Sequence, residues 1–286
     1  MKTPRALGMA GIAVAACFFL SVTSKATEPV TTVADLVAHH LESVGDTKAR
    51  AGIQSRAAAG TAHFHIMVGG GGTLDGRSQF VSQGGKFHFM MKFANNEYRG
   101  EHFIFDGNRV QVSTATAALS RSELGGFLYS QDAVFREGFW GGVLSTAWPL
   151  MDLDKRKAKL TFDGIKKIDG QDLYELRYQP KKNTDLEIRL YFDPSTFHHV
   201  RSVYTLNPGT VMASEPTNAR QQQTRYHLEE RFNDFQTIDG LTLPARYDIR
   251  FSEELQSGST TSYEWEILES SINNNISLDP RNFDVK

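Results

Sequence analysis

The spacing of apolar residues changes once along this chain, from a helical period near the start to alternation over most of the remainder. Between residues 33 and 44, after a threonine cap and before Gly45, the apolar residues that share one helical face are Val33, Leu36, Val37, Leu41 and Val44. This pattern predicts an amphipathic helix over residues 33–44.

From residue 53 onward, apolar and polar residues alternate with a period of two, which is typical of strands with one buried face. The clearest examples are HFHIMV, KFHFMMKF, DLYELRYQ, LEIRLYFD, ARYDIRF and SYEWEI. Asp-Gly dipeptides at 75–76, 106–107, 163–164, 169–170 and 239–240 predict turns. We expect about ten to twelve strands between residues 53 and 276, joined mainly as an antiparallel meander.

The apolar face of so many strands has to be buried, because apolar area that stays exposed to water costs about 25 cal/mol of free energy per Å². Helical stretches are too few to cover a flat sheet. The predicted fold is therefore mainly β, a single large curved antiparallel sheet (an incomplete β-barrel of about 10–12 strands) with an N-terminal helix and a helical lid or plug. Such a concavity is wide enough for an apolar ligand. Its candidate lining residues are Phe87, Phe89, Met91, Phe103 and Phe105, and the alternative is that they are ordinary core.

Two segments break the alternation. Residues 115–153 have apolar residues at roughly helical spacing, interrupted by glycines, and include the stretch FREGFWGGVLSTAWPLM over 135–151. We interpret this segment as a lid or a fixed plug over the open side of the sheet, with Phe139, Trp140 and Trp148 as candidate ligand contacts. Pro208 to Gln223 is polar and contains two prolines, so we expect an exposed loop.

The first residues resemble a secretory signal peptide. Lys2 and Arg5 precede an apolar run over 6–22 and a small-residue pattern at 24–26. We expect residues 1–26 to be cleaved near Ala26, leaving one β-domain over 27–286 in the periplasm. An uncleaved anchor and lipidation of Cys17 are the alternatives, and cleavage would leave a chain without cysteine.

Charge and motifs exclude several functions. The net charge is −2 and basic residues are scattered, so we expect no nucleic-acid partner. His63 and His65 share one strand face, opposite the apolar set, and are weak metal candidates. We expect the adjacent pairs at 39–40 and 198–199 to lie on the surface. No catalytic motif is recognisable, Glu229 and Glu230 face opposite ways, and we predict neither an enzyme nor a cofactor or metal.

Three stretches carry a family resemblance: LVAHHLESVGDTKARAGIQSRAAAGTAHF, IDGLTLPARYDIRF and NNNISLDPRNFDVK. They resemble the LolA/LolB-like superfamily of outer-membrane lipoprotein-sorting proteins, in a longer form. The resemblance implies an incomplete barrel with a helical lid. It also implies that an apolar cavity carries lipid or the acyl chains of lipoproteins across the periplasm, as a chaperone in outer-membrane biogenesis with membrane-bound donor or acceptor proteins.

Two other classes of function stay open at this point. One is an outer-membrane-associated structural β-barrel protein without cargo, whose strands would also alternate. The other is a secreted β-barrel enzyme whose site is not evident from motifs.

Overall fold

Twelve antiparallel strands form one sheet in the computed structural model, which describes residues 30–115, 120–182, 184–207 and 224–286. The strands are β1 Ser55–Val68, β2 Thr73–Gln83, β3 Lys86–Phe93, β4 Glu101–Phe105, β5 Val110–Thr114, β6 Lys159–Ile168, β7 Gln171–Gln179, β8 Glu187–Phe192, β9 His199–Leu206, β10 Arg225–Ile238, β11 Leu241–Glu254 and β12 Thr260–Asn274. This confirms the predicted fold class and strand number.

The sheet consists of two meanders joined through the first and last strands. Its order is β5-β4-β3-β2-β1-β12-β11-β10-β9-β8-β7-β6, so β1 pairs with β12 near the middle. In the parts of the chain that the structure describes, the edge strands β5 and β6 each pair with one neighbour, and the sheet does not close into a barrel. Since β5 and β6 are consecutive in sequence, the chain between them leads from one edge of the sheet to the other.

The helices are few, and most lie in that connection. They are α1 Val33–Val44, α2 Thr47–Ala51, α3 Glu123–Ser130, α4 Ala133–Arg136 and α5 Leu153–Arg156, with 3-10 turns at Gly142–Leu144, Pro149–Asp152 and Pro280–Phe283. The first helix has the predicted bounds because the Thr32 hydroxyl accepts a hydrogen bond from the Asp35 N–H at its start, at 3.1 Å, and Gly45 follows its end.

The sheet is strongly curved, with its apolar side chains inside. Phe89 on β3 and Tyr247 on β11 are separated by three strands, which is about 19 Å on a flat sheet. Their ring centroids are only 6.3 Å apart. The convex face instead carries ion pairs, such as Arg201 with Glu229 and Arg246 with Asp248.

Two of the five predicted turns were wrong. Asp106-Gly107, Asp169-Gly170 and Asp239-Gly240 do connect consecutive strands. Asp75-Gly76, however, lies inside β2, where Gly76 pairs with Phe93 and Ala62 on its two neighbours. Asp163-Gly164 is a bulge inside β6, opposite β7. Long-range strand pairing overrides the local turn preference at both dipeptides.

The predicted signal peptide with Cys17, and the predicted loop over 208–223, lie outside the described residues. Within the described ranges, no helix is both long and apolar enough to cross a membrane.

Candidate functional site

The connection between β5 and β6, here called the crossover segment (residues 120–158), covers the concave face of the sheet. It brings together the eight residues that the sequence singled out, none of which is more than 5 % exposed. The sheet contributes Phe87, Phe89, Met91, Phe103 and Phe105, and the crossover segment contributes Phe139, Trp140 and Trp148. Strand alternation points the first five inward, since they occupy every second position of β3 and β4.

Trp140 lies at the centre of the interior. Its ring centroid is 5.3 Å from that of Phe103, 5.5 Å from Phe89 and 6.3 Å from Tyr247, all close to edge-to-face. Its indole N–H is buried and has no hydrogen-bond partner among the described residues. Trp140 therefore fills the space between β3 and β4 on one side and β11 on the other, through apolar contact alone.

Trp148 takes part in a buried polar cluster. Its Nε1–H donates to Nε2 of His40 at 3.0 Å, and Nδ1–H of His40 donates to the Phe197 carbonyl at 3.0 Å. The ring of His199 stacks obliquely on Trp148 with centroids 4.4 Å apart, and its Nε2 lies 3.0 Å from the Ser202 hydroxyl. Burial lowers the pKa of His40 to about 4 and that of His199 well below its ordinary value, so both rings are neutral near pH 7.

The expectation that these histidine pairs lie on the surface was therefore wrong for one member of each. His40 and His199 are buried, whereas His39 and His198 are not. Neighbouring side chains do point to different faces, but His40 lies four residues after Leu36 and four before Val44, on the apolar face of α1. The helical period could have identified it.

A buried carboxylate on the sheet also binds the crossover segment. Glu230 on β10 is fully buried. One of its carboxylate oxygens, Oε1, accepts from the Gly141 N–H at 2.8 Å and the Tyr247 hydroxyl at 2.5 Å, and the other, Oε2, accepts from the Tyr204 hydroxyl at 2.6 Å. Burial raises the pKa of Glu230 to about 7, although these three donors oppose the rise. Strand alternation could have identified Glu230 as buried, because it lies two residues from Leu228 and two from Phe232. Both of these are core residues on the same face of β10.

A buried arginine makes a third attachment. Nη1 of Arg56, on β1, donates to the carbonyls of Val143 at 2.6 Å and Leu144 at 3.1 Å, while its Nε donates to the Asn274 side-chain oxygen at 2.8 Å. Burial lowers the pKa of Arg56 to about 10, which leaves it charged at neutral pH. Thr146 adds two bonds at the edge, to the Ser82 hydroxyl and the Gly84 carbonyl.

Glycines let this segment approach the sheet closely. Gly142 has φ +53°, and a Cβ there would lie 2.7 Å from the ring of Phe232. Gly138 has φ +81°, and its Cβ would lie 2.2 Å from the Ala147 carbonyl oxygen. No other residue fits either position without displacement.

The site is an apolar interior with a few buried polar groups, most of which are hydrogen-bonded, whereas Nε1 of Trp140 and Nδ1 of His199 have no partner among the described residues. His63, one of the two weak metal candidates, is half-exposed and lies 2.6 Å from an Asp75 oxygen. No group of three or more histidine, cysteine and acidic residues is arranged to hold a metal ion within the described part of the chain.

Comparison with known proteins finds structural likeness at low identity. No protein-family model matches the chain, and no curated protein sequence does. A LolA superfamily protein from Nitrosomonas europaea is 15 % identical and covers 90 % of this chain and 99 % of its own, with a TM-score of 0.48. A DUF1329 family protein from Desulfovibrio piger is 14 % identical, covering 89 % and 98 %, with a TM-score of 0.47. An outer membrane lipoprotein-sorting domain from Vibrio parahaemolyticus is 12 % identical, covering 87 % and 95 %, with a TM-score of 0.41. At these identities the likeness is one of fold.

Proposed function

We propose that this protein is a periplasmic carrier or binding protein for lipid, or for the acyl chains of lipoproteins, which it holds against the concave face of the sheet. The proposal rests on the way in which the concave face is covered. Among the described residues, its large aromatic side chains are covered by an irregular segment with short helices. The N-terminal pattern of a signal peptide supports the location.

We assign the movement that admits the ligand to the crossover segment. Its apolar contacts, such as those of Trp140 with Phe89 and Phe103, can be replaced by contacts with a hydrocarbon chain at little change in buried apolar area. Three buried attachments, at Glu230, Arg56 and His40, would have to open, together with bonds at the edge such as those of Thr146 to Ser82 and Gly84. Each is a small number of hydrogen bonds, with a net value of about 0.5–1.5 kcal/mol for a bond between neutral groups and about 1.5–3 kcal/mol for a bond to a charged group.

A reversible crosslink tests this movement. Ser82 on β2 and Thr146 in the crossover segment are joined by a hydrogen bond of 3.1 Å. The only cysteine of the chain is Cys17, in the predicted signal peptide. The double variant Ser82→Cys/Thr146→Cys, prepared without residues 1–26, can therefore form only this disulfide within one molecule.

We expect the double variant with its disulfide oxidised to lose uptake of a fluorescent fatty-acid probe and to regain this uptake on reduction. The single variant Thr146→Cys, which cannot form the crosslink, should take up the probe under both conditions. The proposal fails if neither the wild-type protein nor the reduced variant binds any acyl probe. Equal uptake with and without the crosslink would contradict the assigned movement.

A further inference from the structure

A pocket with two arginines and no carboxylate lies where α1, α2 and the start of β1 meet the crossover segment. Its volume is about 270 Å³. Its apolar walls include Leu41, Val44, Ile53 and Met151, and its two charged lining residues are Arg50 and Arg56. Pockets for drug-sized ligands have volumes of about 300–1,000 Å³, so this smaller pocket suits a headgroup and the first carbons of a chain.

Both guanidinium groups are bound by neutral oxygens only. The partners of Arg50 are the Leu41 and Gly45 carbonyls and the Thr47 hydroxyl. Those of Arg56 are two carbonyls of the crossover segment and an amide oxygen. Neither arginine has an acidic partner within 4.0 Å in the described ranges, although Arg56 is buried.

The arginines that line a pocket on the convex face are paired differently. Four arginines line a pocket of about 430 Å³ there, and each is paired with an acid: Arg201 with Glu229, Arg231 with Glu229, Arg246 with Asp248 and Arg250 with Glu264. Against that pattern, two neighbouring cations without a carboxylate form a site of uncompensated positive charge beside an apolar wall. A guanidinium with free N–H donors binds carboxylate and phosphate oxygens strongly.

We infer that this pocket binds the anionic headgroup of an amphiphile, a carboxylate or a phosphate, at Arg50 and Arg56. The first carbons of its chain lie against Leu41, Val44 and Met151. This assignment rests on the proposed function, since it names the class of lipid carried.

The pocket also touches the crossover segment directly. Val143, Ser145, Thr146 and Met151 line it, and Arg56 is the residue that donates to the Val143 and Leu144 carbonyls. An anion bound to Arg56 competes with these carbonyls for the same guanidinium. Headgroup binding therefore weakens one of the buried attachments that keep the concave face covered.

Isothermal titration calorimetry on the purified protein tests the assignment with four probes: decanoate, decyl phosphate, decanol and inorganic phosphate. We expect decanoate, decyl phosphate or both to bind, about ten-fold or more tightly than decanol, which lacks the charge, and than inorganic phosphate, which lacks the chain. The two alkyl anions distinguish a carboxylate from a phosphate headgroup. Decanol binding as tightly as both anions, or inorganic phosphate binding as tightly as decyl phosphate, would overturn the assignment.

A matched pair of variants locates the binding site. Met151→Glu places a carboxylate in the pocket, where it pairs with the arginines, and should weaken binding of the alkyl anions about ten-fold or more. Leu268→Glu introduces the same change on β12, at a residue outside the pocket that is 42 % exposed against 38 % for Met151, and should leave binding unchanged. Unchanged affinity in Met151→Glu would refute the location.

The outcomes separate this assignment from the proposed function. Uptake of long-chain probes without discrimination between charged and neutral headgroups would refute the anionic pocket alone. Failure of every acyl probe to bind would refute the carrier function and this assignment with it.

Discussion

Replacing Glu230 by glutamine should remove a pH dependence of stability that the wild-type protein has. Glutamine keeps the size of the side chain, and its amide oxygen can still accept from the Gly141 N–H and the Tyr247 hydroxyl. Its amide N–H can donate to the oxygen of Tyr204, so each neighbour keeps a hydrogen bond. The substitution therefore removes the ionisable proton with little change in packing.

The size of the effect follows from the pKa of Glu230 in the folded protein. Burial raises it from an ordinary value of 4.5 to about 7, so the folded state binds the proton more tightly than the unfolded chain. The stability that this group contributes is full below pH 4.5 and is lost as pH rises through 7. At 1.36 kcal/mol per pKa unit, the loss is about 3 kcal/mol.

Urea unfolding followed by tryptophan fluorescence at pH 4.5 and pH 8 measures this loss. We expect the free energy of unfolding of Glu230→Gln, relative to wild type, to rise by about 3 kcal/mol between the two pH values. Burial also raises the pKa values of Glu101 and Glu269 to about 7, but these groups titrate in both proteins and cancel in the comparison.

The exposed Glu97 supplies the control, because Glu97→Gln makes the same chemical change in contact with water and should change stability little. A difference between Glu230→Gln and wild type that changes by less than about 1 kcal/mol would refute the reasoning, because 1.36 kcal/mol corresponds to one pKa unit.

Two further substitutions test how the crossover segment is held. Gly138→Ala should destabilise the protein by about 2 kcal/mol or more in urea unfolding, because its Cβ would meet the Ala147 carbonyl and its φ is positive. The control is Gly126→Ala on α3, where the Cβ would point into open space. This substitution should be neutral or stabilising by up to about 1 kcal/mol. Equal effects of the two would contradict the close packing. Trp148→Phe should cost about 1–3 kcal/mol because it leaves Nε2 of His40 without a donor, and this ring cannot change tautomer while its Nδ1–H serves a backbone carbonyl. A double-mutant cycle with His40→Leu should give a coupling energy of about 1 kcal/mol, and a value near zero would argue against that bond.

Local periodicity was enough to predict most of the elements. The helix over 33–44 and the strand at 86–93 have the bounds that the pattern indicated, because a repeat of 3.6 or of 2 is set by neighbouring residues alone. Alternation also placed Phe87, Phe89 and Met91 on one face, and the curved sheet has that face inside.

Contacts between distant residues decided what local signals did not reveal. Asp75-Gly76 has the composition of a turn but lies within β2, because pairing with both neighbours extends the strand. Glu230 and Arg56 are charged, and sequence reasoning did not select them. In the fold they meet backbone groups of the crossover segment about ninety residues away, at Gly141 and at Val143.

The sequence by itself therefore determined the elements of this protein and which face of each is apolar, since both depend on the order of side chains along a short stretch. Only the tertiary structure decided that the stretch over 135–151 lies inside the curve of the sheet, with Trp140 between β3 and β11 and Trp148 bonded to His40. The physical reason is that burial, hydrogen-bond satisfaction and the close approach at Gly138 and Gly142 depend on partners that only the closed curve brings together.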